Sequence, residues 1–192
     1  MARRMALWVV FALVVAVGTA AASTVVGLSV EDQARLSRYV VVGEVVTTRG
    51  LDHPRFGIET AVTLRVSEVL KGDVRAGQPL VFHLRGGQVK DVISEALGEA
   101  TVSPGQRVLV FIEEVEGRLY NVGLSMGVWD VSEDEAGYVR VTRALRDGLQ
   151  VVGGLEIEHG PLAIEEMSAR VRESIRNPRF DHEMLRSARE GR

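Results

Sequence analysis

Gly123-Leu124-Ser125-Met126-Gly127 is the stretch whose residue types and spacing come closest to a catalytic device. The G-x-S-x-G pattern presents a serine nucleophile only where a strand turns sharply into a helix, with a histidine and an acid downstream. Here Val128-Trp129-Asp130-Val131 follows, which reads as strand, and no alternation of strands and helices supplies a hydrolase sheet. Two glycines at a strand kink explain the pattern better. A hydrolase using Ser125 stays as an alternative.

The other reactive residue types are scattered. A catalytic zinc site needs three protein ligands in fixed geometry, often with a helical pair of histidines. His53, His83, His159 and His182 show no such spacing. His53 belongs to a loop beside Asp52, and His83 is in phase with Val81 and Arg85 on a strand. His159 follows Glu156 and Glu158, and His182 falls in the charged end of the chain. Glu133-Asp134-Glu135 lacks the spaced ligands of a calcium loop and reads as a solvated hairpin tip. Glu113 and Glu114 are strand neighbours, so they face opposite ways and cannot share a substrate. Gly86-Gly87 is followed by no Lys-Ser/Thr, unlike a phosphate-binding loop. With no cysteine there is no thiol chemistry. We assign no catalytic residue, no cofactor and no metal ligand.

The elements around these residues are mostly strands. Val62, Leu64 and Val66 alternate with Thr63, Arg65 and Ser67, the period of a half-buried strand. The alternation slips at Val69-Leu70, which predicts a bulge near Ser67-Glu68. Lys71-Gly72-Asp73 turns the chain, and Leu80, Phe82 and Leu84 resume the alternation. A long strand, a bulge and a return strand suit a small curved sheet or barrel. Before it, Val40, Val41, Val42, Val45 and Val46 predict a strand buried on both faces, with Gly43 at a bulge or a close backbone approach. Ser29 caps a short helix over 30–38. Residues 49–57 read as a loop. Val92, Ile93, Ala96 and Leu97 have helical spacing, so 88–102 reads as a short helix or an ordered excursion over the barrel. Residues 107–112 are apolar on both faces, hence a central strand, and 127–131 pair with 138–142 as a hairpin. Six or seven strands result, mostly antiparallel. At the end, Ile164, Met167, Val171 and Ile175 recur every three or four residues and predict an amphipathic helix over 162–176, stopped by Asn177-Pro178.

Length and composition bound the answer. The 192 residues are 46% hydrophobic and 26% charged, a globular balance. The net charge of −3 and 5% aromatic content argue against nucleic acid as a partner. Arg3-Arg4, an apolar run over 6–17 and Ala20-Ala21-Ala22 read as a signal peptide over 1–22, cut near Ala22-Ser23. An uncleaved N-terminal anchor is the alternative. The reading is a β-barrel domain over 23–150, a linker and amphipathic helix over 151–178, and a charged tail over 179–192. The location is secreted or periplasmic, without disulfides and without a membrane anchor once the leader is removed.

Val40-Val41-Val42-Gly43-Glu44-Val45, then 62–72, Gly86-Gly87, 104–111 and 122–127 resemble a group of exported bacterial β-barrel proteins. Their barrel is similar to the OB-type fold of tissue inhibitors of metalloproteases and netrin-like modules. The resemblance spans about residues 36–143. It implies a mainly β fold, a small antiparallel OB-like barrel, and an interaction role. Some members of the group are encoded near matrixin-like metalloproteases. The animal inhibitors bind protease zinc through an N-terminal cysteine, which this chain lacks, so that mechanism does not carry over. The expectation is an exported, non-catalytic protein-binding module, with a metalloprotease as the sharpest version of its partner. The alternatives are the Ser125 or metal-dependent enzyme and a structural envelope component.

Overall fold

A computed structural model describes residues 23–143, 145–146, 149–152, 157–177 and 179. The leader expected over 1–22, His182 and the tail beyond Arg179 lie outside the described residues. The chain is mainly β. In order it runs β1 (Ser23–Val26), α1 (Val30–Leu36), β2 (Tyr39–His53), β3 (Gly57–Lys71), β4 (Pro79–Arg85), β5 (Gly87–Val89), β6 (Val92–Ser94), β7 (Arg107–Val115), β8 (Arg118–Asn121), β9 (Val128–Glu133), β10 (Val139–Thr142), β11 (Leu149–Val152), β12 (Leu162–Ala163) and α2 (Ile164–Arg176). Twelve strands among the described residues exceed the six or seven expected, because four short strands pair outside the main sheet and the two-residue β12 joins its edge.

The main sheet closes into a ring. Its order is β12-β10-β9-β7-β2-β3-β4-β8, and β8 returns to pair with β7. The pairings within this sheet are antiparallel except β4 with β8, which meet in parallel at His83 and Tyr120. Outside the ring, β1 lies parallel to β11, and β5 pairs with β6 alone.

β2 and β7 lie side by side, Val40 opposite Phe111 and Val42 opposite Leu109. Their side chains alternate between two cores, as the two-residue period requires. Val41, Val45, Val108, Val110 and Ile112 enter the ring, where they meet Val62, Leu64, Phe82 and Leu84. Val40, Val42, Leu109 and Phe111 face the other way, into a core with Trp129, Met167 and Val171. Water is thus excluded from both faces, and each large side chain so buried contributes about 1.5–3 kcal/mol. The expected double burial holds for Val40, Val41, Val42 and Val45, whereas Val46 is 44% exposed.

The long β2–β3 hairpin bends because its register slips three times. Leu70, Ser67 and Val46 are the residues skipped. The bulge expected near Ser67-Glu68 is present, and Ser67 Oγ donates to Val42 O at 3.1 Å. Bulges of this kind coil a hairpin enough to close a ring. Gly43 lies at the middle slip. A Cβ there would stand 2.6 Å from Arg65 O, so both readings of Gly43, bulge and close approach, hold.

Three expectations are corrected. The loop read over 49–57 shrinks to a turn over 54–56, because β2 continues to His53 and β3 starts at Gly57. Alternation there is weak, since both faces of the far end of the hairpin are partly exposed. The helix read over 88–102 is absent. The β-branched Val89, Val92 and Ile93 flank a tight turn at Lys90-Asp91 and pair as a hairpin, so the excursion alternative is the one observed. The first helix ends at Leu36 rather than 38, since Ser37 is extended and caps the end, its N–H and its hydroxyl both donating to Gln33 O.

The helices cover the second core. Ser29 Oγ caps α1 by accepting from Asp32 N–H, as its sequence predicts. Lys71 Nζ donates to Ala34 O at 2.7 Å and Ser37 O at 2.6 Å, at the negative end of α1. Arg170 of α2 grips Glu31 of α1 at 2.6 and 3.0 Å and also pairs with Glu158. Met167 and Val171 are fully buried, whereas Ile175 is exposed. Beside them the Arg143 guanidinium lies 4.2 Å from the Trp129 ring centroid, and burial lowers its pKa to about 9. Among the described residues no helix is long and apolar enough to cross a membrane.

Gly43→Ala is expected to lower stability by about 1–3 kcal/mol, because the new methyl meets backbone on a paired strand. Denaturant unfolding with an unchanged slope and a lower midpoint would show it.

Candidate functional site

At one end of the ring, residues 86–102 leave the sheet, form the β5–β6 hairpin and return to β7. Their position is held by close backbone approach. Gly50 of β2 lies under the hairpin so tightly that a Cβ would stand 1.8 Å from Gln88 O. Gly86 N–H donates to Ile58 O at 2.9 Å, and Thr60 Oγ1 donates to Gly86 O at 2.9 Å.

A buried carboxylate pins the far side of the excursion. Glu99 is 7% exposed. Its Oε1 accepts from Asn121 Nδ2 at 2.6 Å and Ala100 N–H at 2.9 Å, and its Oε2 accepts from Arg85 N–H at 3.1 Å. The excursion is thereby tied to β4 and to the end of β8. Buried charged acceptors with several N–H donors are strong anchors.

A second buried carboxylate closes the other flank. Glu59, 1% exposed, takes hydrogen bonds from the Tyr120 hydroxyl and from Arg118 Nη2. Burial, together with the Glu59 carboxylate, pushes the Tyr120 hydroxyl pKa up, so it remains a donor. Rings and cations pack around this group. Phe56 meets Tyr120 edge-on at 6.2 Å, and the Arg85 guanidinium lies 4.9 Å from the Tyr120 ring centroid. His83 also leans on Tyr120, at 5.9 Å. Its Nδ1 lies 3.2 Å from Leu119 O, and burial holds its pKa below the ordinary 6.5.

Open clefts follow the excursion on both sides. One, of about 300 Å³, lies between Phe56, Glu59, Arg85 and Tyr120. The next, of about 440 Å³, runs past Thr48, Thr60, Arg85, Leu97 and Arg146. A third, of about 320 Å³, lies between Thr101, Gln106, Asp130 and Arg146. The excursion exposes Val92 (59%) and Ile93 (65%) on the hairpin and Leu97 (36%) after it. Val92 and Ile93 are strand neighbours and stand on opposite faces of the hairpin, and Ile93 and Leu97 line the central cleft.

The residues singled out by chemistry are placed elsewhere or used differently. Ser125 sits in a one-turn 3-10 helix over Leu124–Gly127 and is 1% exposed. Its N–H donates to Gly98 O at 3.0 Å, and its Oγ accepts from Arg146 N–H at 3.3 Å. The left-handed residues of that turn are Gly123 and Leu124, at φ 65° and 58°, not the serine. G-x-S-x-G here ties the excursion down. His53 Nδ1 accepts from Arg55 and Phe56 N–H and shapes the turn after β2. His159 is exposed, and its carbonyl accepts from Arg143 N–H. Asp134 Oδ1 accepts from Ala136 and Tyr138 N–H and its Oδ2 from Arg140, holding the β9–β10 tip. These bonds keep its pKa low. Glu114 pairs with Arg38, while burial raises the Glu113 pKa on the opposite face. Among the described residues no three His, Asp or Glu side chains gather closely enough to hold a metal ion.

Glu59, Glu99, Arg85 and Tyr120 carried no signal in the sequence. Glu59 falls out of phase with Val62, Leu64 and Val66, so alternation places it on the outer face. Its burial depends on Phe56, Arg118 and Tyr120, which arrive from other elements.

No family model matches the chain, and no curated protein matches it.

Gly50→Ala is expected to dislodge the hairpin while the ring stays folded. Amide exchange at Gln88, Val89, Val92 and Ser94 should accelerate at least tenfold, with the protection of β7 unchanged. His83 makes a second test. Its folded pKa lies below its unfolded value, so the stability tied to its neutral form is present above pH 6.5 and is lost as pH falls below that. Relative to His83→Asn, the melting temperature of the parent chain should drop between pH 6.5 and 5, and the two should run parallel above pH 7.

Proposed function

We propose that this protein is an exported, non-catalytic binding module, and that residues 86–102 are its contact element. One observation carries the reading. Ile93 and Leu97 are exposed along the cleft, and Val92 on the other face of the same hairpin, all on a segment whose base is locked by Glu99, Gly50 and Gly86. A prepositioned apolar projection binds without first losing conformational freedom. Solvent-exposed apolar groups on an otherwise well-packed domain have their use in a partner's interface.

The ring supports an OB-like barrel as the scaffold. Its closed order β2-β3-β4-β8-β7, with β4 and β8 parallel, is the connectivity of a five-stranded Greek-key barrel of that kind. Such barrels use connecting loops at one end as binding surfaces. The net charge of −3 favours a protein partner over nucleic acid. The resemblance to metalloprotease-inhibitor modules makes an exported metalloprotease the sharpest partner. Export itself rests on the leader read over 1–22.

Capture from the exported proteins of the native source tests this. Val92→Asp combined with Ile93→Asp places a charge on each face of the projecting hairpin and leaves the cores alone. The pair is expected to weaken partner retention at least about 100-fold, since each lost apolar contact is worth about 1.5 kcal/mol or more. Ser125→Ala in a folded chain should retain the partner fully. Full retention by the Val92/Ile93 variant, or loss through Ser125→Ala with the fold intact, would sink the proposal.

A further inference from the structure

Building on the binding-module reading, we propose that the groove around residues 86–102 receives an extended peptide segment bearing spaced acidic side chains. The three clefts adjoin one another along the excursion. The cleft against Phe56 and Tyr120 meets the central one at Arg85, Gly86, Ser94 and Ala96. The central one meets the third at Ala100, Thr101 and Arg146. Three adjoining clefts in a row suit an extended chain better than a compact ligand.

The wall of the groove offers backbone as well as side chains. β6 pairs with β5 on one edge, and no strand covers its other edge among the described residues. Ile93 and Ser94 of that strand line the central cleft. An uncovered edge presents N–H and C=O groups in register for an added strand.

The charges left over are positive at the junctions. Glu59 and Glu99 are already filled by donors from within the chain. Asp130 takes the Gln106 amide. By contrast, the exposed Arg146 has no side-chain ion pair among the described residues. Arg85, with its side chain 43% exposed, reaches Glu99 only at 3.6 Å. Each can grip a carboxylate with two N–H groups. Glu95 is the exposed acid on the central wall without an ion pair among the described residues, so acids on the ligand are directed to the two arginines rather than along the whole groove. In an extended ligand, residues two apart share a face, and alternate side chains can meet arginines while the others meet Leu97 and Ile93.

A capped, fluorescein-labelled peptide of alternating Val and Glu is the probe, titrated against the full chain by anisotropy. Controls alternate Val with Gln and Val with Lys, and a fourth peptide repeats Val-Glu with every second amide N-methylated. The Val-Glu peptide should bind saturably, at least tenfold tighter than the Gln and Lys forms, and the N-methylated form should not bind. Arg85→Gln and Arg146→Gln should each weaken it about tenfold. Arg146→Gln keeps the test valid if Arg85→Gln disturbs Glu99. Equal binding of the Lys or N-methylated peptide, indifference to both substitutions, or no binding at all overturns the proposal. If no peptide binds while Val92→Asp with Ile93→Asp still abolishes partner capture, the acidic-peptide groove fails and the binding-module reading stands.

Discussion

β2 and β7 pair from Tyr39 opposite Ile112 to Glu44 opposite Arg107, and from Tyr39 to Gly43 and Val108 to Ile112 both sides of that pair are out of water. One side belongs to the ring interior and the other to the helix-covered core. Neither core could form without the other, because the same two strands supply the wall of each. A polar substitution at Val40 or Val41 would breach a different core but weaken the same wall. This shared wall also explains why a chain without disulfides holds a five-strand ring, two helices and several outlying strands together.

The excursion over residues 86–102 is stabilised on different terms. It has little apolar burial of its own, and Val92 and Ile93 face solvent. What holds it is geometry and polar satisfaction. Glycine at 50 lets backbone approach backbone, and the Glu99 carboxylate gathers three N–H groups from three places in the chain. Anchors of this sort fix position without covering surface, which leaves Val92 and Ile93 in water. The Ser125 turn belongs to the same device. Its backbone holds Gly98, and its hydroxyl holds the backbone of Arg146.

The second buried carboxylate makes that end of the ring rigid. Glu59 joins Arg118 and Tyr120, and the rings of Phe56 and His83 complete the packing. Burying an ion pair adds little net stability, yet removing one partner leaves a charge stranded and costs about 3–5 kcal/mol. The cluster therefore acts as a constraint on where β3, β4 and β8 stand relative to one another. The cleft beside it inherits a fixed shape.

Much of the fold was legible in the residues taken in order. The two-residue period of Val62, Leu64 and Val66, the slip at Ser67, the valine run of β2, the apolar run of β7 and the three- to four-residue stripe of α2 each announced its element. The reason is physical: burial on one or both faces imposes a period on the side chains, and a period is a local property of the sequence. Glycine was half legible. Gly43 signalled a close approach because it interrupts a β-branched run, whereas Gly50 sat among loop-like residues and gave no such contrast. The site was not legible. Glu59 lies out of phase with the buried positions of its strand, and Glu99 lies in irregular chain. They are buried because Arg118, Tyr120 and Asn121, some 22 to 61 residues away along the chain, arrive beside them. The sequence by itself determined which residues leave water along each strand and helix. Only the tertiary structure decided which polar groups meet, because satisfying a buried carboxylate takes donors from distant segments, and no local pattern records where those segments will lie.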